Sequence, residues 1–483
     1  MSAKLKFDKV LIANRGEIAV RLMRSAQELG LKAVAVFEET DKNAYHIMRA
    51  DEAVCIGEGP RKDYLDIGKI IEAAKQTGAQ AIHPGYGFLA ENPDFPEACL
   101  AAGLVFIGPP PEVIRNLGNK VIARRIAQET GLPVIPATGN LPHGVRGEQQ
   151  ALDFAAQSGY PVMIKATSGG GGRGIREVEN DEELVAGLKR SRSEALIAFD
   201  DDQIYLEKHI RRPRHVEVQI LADNYGNVVH LGTRNCSIQR RHQKLIEIAP
   251  AGLPPALTAE ICAAAVRAAR AANYLSAGTV EFLVDQDDAF YFLEVNTRLQ
   301  VEHTVTEMIT GIDLVREQIL IAMGEPISFT QDQIVERGYA IELRINAEDP
   351  KNNFLSSPGM IQIYQSPGGP GVRLDGAIYQ GYEITPYYDS MMVKLTAYGF
   401  NWREAVDRMA RALKGFLIVG VTTTIPYFQQ IVREPDFIAM QLDTAYIEEH
   451  PQLLDYQVEE REVDKIARLI AEINAYEKNP YAQ

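Results

Sequence analysis

The stretch Glu281-Phe-Leu-Val-Asp-Gln-Asp-Asp-Ala-Phe-Tyr-Phe-Leu-Glu-Val-Asn-Thr-Arg-Leu-Gln-Val-Glu-His303 decides how this chain is organised. Two apolar, β-prone runs flank a short acidic loop, Gln286 to Ala289, the pattern of an antiparallel hairpin. Its register sets Val284 against Tyr291 and Glu281 against Glu294. Like charges facing each other across a ladder cost roughly 0.2–1 kcal/mol. A cation between them reverses that sign. Oxygen-only ligands suit Mg²⁺ or Mn²⁺, and Mg²⁺ is usually held by one or two carboxylates plus substrate phosphates. Asn296 lies two residues beyond Glu294 and shares its strand face. A solvated acidic hairpin is the competing reading, and it fits poorly with carboxylates set among Phe, Leu and Val.

Outward from the hairpin the chain alternates elements. An Ala-rich helix over about 258–273 precedes it. Strands are expected over 161–166, 175–178, 205–208, 215–221 and 227–231. The first segment reads strand 10–13, helix 18–29 stopped by Gly30, strand 31–37, then further strand–turn units near 81–87 and 105–108. Pro109 to Pro111 punctuates its end. The expected architecture is α/β and α+β. An open α/β domain spans 1–118, and a second domain spans 119–335 with a lid at about 136–207. A mixed domain follows over 336–450, with strands at 339–345 and 391–398 and a helix near 402–413. An amphipathic helical tail covers 451–483.

The 483 residues suit about three domains, with 46% apolar and 24% charged residues. A net charge of −15 argues against general nucleic-acid binding. Cys55, Cys99, Cys236 and Cys262 form no C-x-x-C and no zinc-type spacing. No apolar run approaches the length of a membrane span, and residues 10–13 are too short for a signal core. A cytoplasmic protein is expected.

Gly169, Gly171 and Gly174 satisfy G-x-G-x-x-G, but a strand rather than a helix follows. A glycine-rich turn between strands lets backbone N–H groups close over phosphates as a flap; a surface hairpin is the plainer reading. Lys165, just before it, offers a fixed positive charge. Arg240, Arg241, His242 and Lys244 form a basic cluster, which in so acidic a chain suits small anions rather than nucleic acid. His83, beside Pro84 to Gly87, reads first as a structural histidine.

These motifs, taken in order, resemble a known family. Ala13-Asn-Arg-Gly-Glu-Ile-Ala19, His83-Pro-Gly-Tyr-Gly-Phe-Leu-Ala-Glu-Asn92, the glycine loop, Gln239-Arg-Arg-His-Gln-Lys244, Glu294 to His303 and Arg344-Ile-Asn-Ala-Glu-Asp349 look like biotin carboxylase. That is the ATP-grasp component of biotin-dependent carboxylases. The similarity runs from about residue 7 to about residue 450. It implies that ATP phosphorylates bicarbonate to carboxyphosphate, that this yields CO₂ and phosphate, and that biotin, deprotonated by the phosphate, captures the CO₂.

Carried over by position, the resemblance implies that Lys120, Lys165 and the loop Gly169, Gly170, Gly171 and Gly172 hold ATP phosphates. Glu207 and Lys208 meet adenine, and His215, Gln239 and His242 line the nucleotide site. Glu281 and Glu294 bind Mg²⁺ with Asn296 nearby. Lys244, Arg298, Gln300 and Val301 position bicarbonate. Glu302 is its base, Arg344 stabilises the biotin enolate, and Tyr86 and Gly87 border biotin. Asn119, Thr233 and Asn235 depart from the pattern, where acidic residues often precede Lys120 and flank Arg234. Less negative charge near the anion site is then expected. The segments 247–251 and 302–307 look more like pyruvate and other 2-oxoacid carboxylases than acyl-CoA ones.

No Ala-Met-Lys-Met acceptor is present; Met391-Met-Val-Lys394 comes nearest and reads as a core strand. Biotin is therefore expected on a separate carrier protein or domain, with a carboxyltransferase subunit on another chain and this chain as a homodimer. Rival readings are another ATP-grasp ligase, a Rossmann protein built on residues 10–13, Gly16 and Glu38, and a silent assembly subunit. The Rossmann reading has only one glycine in its first turn.

Overall fold

The computed structural model describes residues 7–167, 175–199, 201–241 and 243–457. At the N-terminus, β1 (Lys9–Ile12), β2 (Lys32–Glu38), β3 (Glu52–Gly57), β4 (Ala81–His83) and β5 (Val105–Phe106) form a parallel sheet of order β3-β2-β1-β4-β5. Val10, Leu11 and Ile12 are all buried, as a strand covered on both faces requires. The helix Gly16–Glu28 packs Ile18, Ala19, Leu22, Met23 and Ala26 against it, a 3.6-residue stripe. Glu38 ends β2 in the place a dinucleotide-binding acid would take. Its carboxylate instead accepts backbone N–H bonds from Arg61 at 2.6 Å, Asp63 at 2.8 Å and Tyr64 at 3.3 Å.

A small subdomain carries its own core. β6 (Val162–Ala166), β7 (Ile175–Val178) and β8 (Ile204–Lys208) form an antiparallel sheet of order β7-β6-β8. The helices Val145–Ser158 and Asp181–Phe199 cover it, and Leu141, Ala151, Ile164, Leu188 and Leu206 pack between. The glycine loop joins β6 to β7 as expected; its residues 168–174 lie outside the described residues, as do His242 and the tail 458–483.

The body is one eight-stranded antiparallel sheet. It takes β9 (Arg214–Ala222), β10 (Val228–Asn235), β13 (Ile246–Ala249), β14 (Ser276–Val284), β15 (Phe290–Asn296), β16 (Tyr339–Asn346), β17 (Val372–Gly376) and β18 (Met391–Gly399). Their order is β15-β14-β9-β10-β13-β16-β18-β17. The short hairpin β11 (Gln239–Arg240) and β12 (Gln243–Lys244) sits between β10 and β13 in the chain. Strand alternation makes the sheet two-faced. One face is apolar: Val216, Val218, Ile220, Val280 and Phe282 pack under the helix Pro255–Ala271. Farther along, Ile246, Ile248, Ile341, Leu343, Val393 and Leu395 pack with Val406 and Met409 of the helix Trp402–Gly415. The other face is polar and equally buried, and the helix His303–Thr310 lies over it. Met391–Lys394 is a core strand, as its apolar neighbours suggest.

The hairpin register corrects one expectation. Glu281 does face Glu294, but Val284 faces Phe290, and Leu283 faces Tyr291. A bulge between Phe282 and Glu281 absorbs one extra residue, Leu293, which is partly exposed.

Candidate active site

The polar face of the sheet is built by period-two alternation. β9 contributes His215, Glu217 and Gln219; β14 contributes Thr279 and Glu281; β10 contributes Arg234; β13 contributes Glu247; β16 contributes Glu342 and Arg344. Lys244 enters from β12 and Glu302 from the loop that opens the covering helix. The Lys244 ammonium donates to Glu217 at 2.7 Å, Glu281 at 2.9 Å and Glu302 at 2.7 Å. Arg234, wholly buried, donates to Glu217 at 2.5 Å and to Gln219, Thr306 and Thr279. The Arg344 guanidinium grips Glu247 at 2.7 Å through Nε, and its Nη2 reaches Glu302 at 3.0 Å.

Buried charge survives only when paired and hydrogen-bonded. Burial and the nearby Glu217 push the Glu302 carboxyl up, yet Lys244, Arg344 and Arg234 together hold it below its ordinary value. Burial likewise opposes ionisation of Glu217, and Arg234 and Lys244 bring it down to about 2. Burial disfavours the Lys244 cation, but Glu217, Glu281 and Glu302 raise it well above an ordinary lysine. Glu302 is thus an ionised carboxylate between two cations, each of which has a further carboxylate partner.

Glu281 and Glu294 fit a divalent cation unequally. The Glu281 carboxylate accepts from Lys244, from Asn296 at 2.7 Å and from Gln300 at 3.1 Å, and lies 2.8 Å from His215 Nε2. Glu294 meets only Lys120 among the described residues, at 3.8 Å. Burial and the charge of Glu281 push Glu294 up. A carboxylate short of donors and raised by its neighbour across the ladder is one that a cation would settle. With Glu281 and the amide oxygen of Asn296 it makes a hard oxygen set suited to Mg²⁺ or Mn²⁺.

The remaining expected residues fall around this centre. Gln239 Nε2 is 3.4 Å from His215 Nδ1. Lys165 pairs with Glu207 across β6 and β8, on the sheet face opposite Ile164, which packs under the subdomain's helices. Lys208 points the other way, donating to the Gly159 carbonyl at 2.9 Å. Lys120, at the start of the helix Lys120–Glu129, is exposed. Arg298 spans Glu91 at 2.9 Å, Gln300 at 2.9 Å and Asn296 at 3.2 Å, a brace across the loop before Glu302. Tyr86 is half-buried, and its carbonyl accepts from Asn14; Gly87 turns the chain at φ 72°. His83 is structural: its Nδ1 accepts from the Gly85 N–H, and burial lowers it to about 3.

Three expectations change. The basic run is not one cluster: Lys244 enters the acidic centre, whereas Arg240 stacks 4.3 Å from the Phe354 ring centroid and bonds the Asn353 carbonyl. A two-stranded turn sends neighbours to opposite sides. Thr233 and Asn235 do not lower the charge near Arg234, because alternation turns them away; Thr233 accepts from Ala251 N–H and Asn235 from Ser237 N–H. Asn119 caps its helix, accepting from Val121 and Ile122. Two site residues, Glu217 and Glu247, escape the sequence reading. The signal for Glu217 is present in His215-x-Glu217-x-Gln219, three polar side chains on one face of an apolar strand.

Comparison with known proteins identifies the family. Residues 6–114 match the family model "Biotin carboxylase, N-terminal domain", residues 119–330 "Carbamoyl-phosphate synthase L chain, ATP binding domain", and residues 342–449 "Biotin carboxylase C-terminal domain". The biotin carboxylase of Nostoc sp. is 52% identical over 447 residues, covering 92% of this chain and 99% of that protein. A crystal structure of the biotin carboxylase subunit of pyruvate carboxylase superposes at TM-score 0.84 and 48% identity, covering 93% of this chain and 100% of that one. A crystal structure of the biotin carboxylase domain dimer of Hydrogenobacter thermophilus 2-oxoglutarate carboxylase, with MgADP, ADP and bicarbonate, superposes at TM-score 0.87 and 48% identity, covering 94% of this chain and 100% of that one. With family models matching residues 6–114, 119–330 and 342–449 and a relative 52% identical over 92% of the chain, this chain belongs to the biotin carboxylase family.

Proposed function

We propose that this chain is an ATP-dependent ligase that carboxylates biotin on a carrier, in which the Lys244–Glu302–Arg344 array performs the chemistry. One observation carries the reading: the Glu302 carboxylate lies 2.7 Å from Lys244 and 3.0 Å from Arg344. Lys244 and Arg298, released from their carboxylates, hold the bicarbonate anion with Gln300 and the Val301 backbone. Glu302 takes its proton, and the resulting oxyanion attacks the γ-phosphorus of ATP, breaking the bond to ADP and forming carboxyphosphate. Loss of CO₂ leaves phosphate, which accepts the ureido N–H proton of biotin. Arg344, anchored by Glu247, faces the enolate oxygen that then develops, and the ureido nitrogen bonds CO₂. Lys120, Lys165 and the glycine loop hold the nucleotide's phosphates, while Glu207, the backbone at Lys208, His215, Gln239 and His242 form the rest of its pocket. Mg²⁺ or Mn²⁺, held by Glu281, Glu294 and Asn296, would neutralise phosphate charge during transfer.

The subdomain of β6–β8 acts as a lid, as its separate core permits. Tyr86 and Gly87 border the incoming biotin, which arrives on another chain; a carboxyltransferase on a further subunit receives the product. The dimer of the Hydrogenobacter relative supports a homodimer here. No helix among the described residues is long and apolar enough to cross a membrane, and we place the enzyme in the cytoplasm.

The test is Arg344→Ala, with ADP and carboxybiotin counted in one reaction. Carboxybiotin is expected to fall on the order of 10²–10³-fold while bicarbonate-dependent ADP release persists. Equal loss of both products with ATP binding intact overturns the division of labour.

A further inference from the structure

Lys394 lies in the middle of β18, between Val393 and Leu395, with 0% of its surface exposed. Packing would be served more cheaply by another apolar side chain, because an ammonium must be fully partnered to stay in such a place. Its partners come from three separate parts of the chain. Nζ donates to the Val301 carbonyl at 2.8 Å, pairs with Glu17 of the first helix at 3.3 Å, and sits 5.6 Å from the Tyr86 ring centroid. In the ladder Lys394 stands directly opposite Arg344. The two cations therefore share the polar face side by side, with Asp375 opposite Lys394 on the next strand to offset their repulsion. Each grips one of two consecutive residues: Arg344 holds the Glu302 carboxylate and Lys394 holds the Val301 carbonyl. The peptide between them is planar, so fixing the Val301 carbonyl also fixes the direction of the Glu302 N–H. Residues 297–300 have no regular secondary structure to set that plane.

We propose that Lys394 is a positioning residue for the bicarbonate step. It locks the Val301–Glu302 peptide so that the Glu302 carboxylate meets its proton in register with Lys244, and it ties this loop to the Tyr86 turn through one buried charge. Glu17 lies beside the ammonium on one side, and Asp375 stands opposite Lys394 in the ladder on the other. Neither Glu17 oxygen has a well-aligned hydrogen bond among the described residues, and burial, opposed by Lys394, raises its carboxyl to about 7. The proposal rests on the reading that residues 300–302 handle bicarbonate.

The experiment compares Lys394→Met, Glu17→Gln and the double variant by steady-state kinetics with bicarbonate and ATP varied separately. The double variant removes Lys394 and the Glu17 carboxyl together, and Asp375, opposite Lys394, keeps Arg373 as its partner. In Lys394→Met and in the double variant the KM for bicarbonate is expected to rise, or kcat to fall, by about 10- to 100-fold, with the KM for ATP unchanged. Glu17→Gln, which keeps the Val301 hydrogen bond, is expected to retain its bicarbonate KM even where its melting temperature drops. Wild-type bicarbonate kinetics in the double variant overturn the proposal. So does a bicarbonate defect in Glu17→Gln equal to that of Lys394→Met, because the effect would then follow the ion pair and not the Val301 carbonyl. Glu302→Gln, run alongside, keeps the two readings apart: undiminished bicarbonate-dependent ATP cleavage there defeats the assignment of the loop itself.

Discussion

Glu38, at the end of β2 in the N-terminal sheet, and Glu302, over the polar face of the large sheet, are both carboxylates with 0% exposure. Their donors differ in kind. Glu38 is held by the backbone N–H groups of Arg61, Asp63 and Tyr64 and by the Tyr388 hydroxyl. Glu302 is held by the side chains of Lys244 and Arg344. Backbone donors cannot leave without unfolding the loop that carries them. Cationic side chains can rotate onto an incoming anion and return. The first region uses a buried carboxylate to shape a turn, and the second keeps one exchangeable. Burial alone does not distinguish the two acids; the kind of donor, backbone at Glu38 and cationic side chain at Glu302, does.

Replacing Glu302 by Gln probes the widest gap between the two. Bicarbonate-dependent ATP cleavage is expected to fall by about 10²–10⁴-fold, the usual contribution of a positioned base, with cooperative unfolding retained. Lys244 keeps Glu217 and Glu281 as partners, and Arg344 keeps Glu247, so neither cation is stranded. Near-normal cleavage would erase the contrast. Glu38→Gln is the converse variant. Its amide can accept only through one oxygen, and the loss of charge-assisted bonds is expected to cost about 1–3 kcal/mol in urea unfolding. Turnover per folded molecule should be that of the wild type, and a catalytic defect without a stability loss would contradict the structural role.

Acid sharpens the comparison further. His46 packs in the N-terminal region with Nε2 3.2 Å from the Val36 carbonyl, and burial lowers it to about 4. Its folded value lies below the unfolded value of about 6.5, so the unfolded chain binds the proton first. The stabilisation is complete above about pH 6.5 and is lost as pH falls toward about 4, by at most roughly 3 kcal/mol. Glu217, brought down to about 2, stays ionised through that window. Urea titrations between about pH 7 and pH 4 should show a loss, shared with the buried His83, that becomes shallower in His46→Gln; an unchanged slope in that variant would assign the acid sensitivity elsewhere.

Much of the site is legible because strands alternate with period two. Glu281 opposite Glu294 follows from the hydrophobic pattern, and the open α/β sheet follows from the order of strands and helices. The bulge at Leu293 is not legible: one inserted residue leaves the pattern of the strand intact on each side of it, and the pattern alone sets Val284 against the wrong partner. Glu247 stands out only within a family-like segment, because a single acidic residue in a four-residue strand looks the same whether it faces solvent or a guanidinium. The basic run reads as a unit because sequence proximity hides a turn that splits it. Pairings such as Arg344 with Glu247, 97 residues apart, are set by sheet order, which no local pattern encodes.

The seam between β13 and β16 also bears on how the protein is made. A ribosome emits β13 long before β16, and at about 5–20 residues per second the interval for those 97 residues is on the order of 5–20 s. Throughout it the nascent sheet ends in an open edge whose N–H and C=O groups can pair with any passing strand. Ile246 and Ile248, destined for the core, are uncovered at the same time. Glu247 between them places a carboxylate within that apolar strand, and a charge inside a hydrophobic strand disfavours pairing with passing chains.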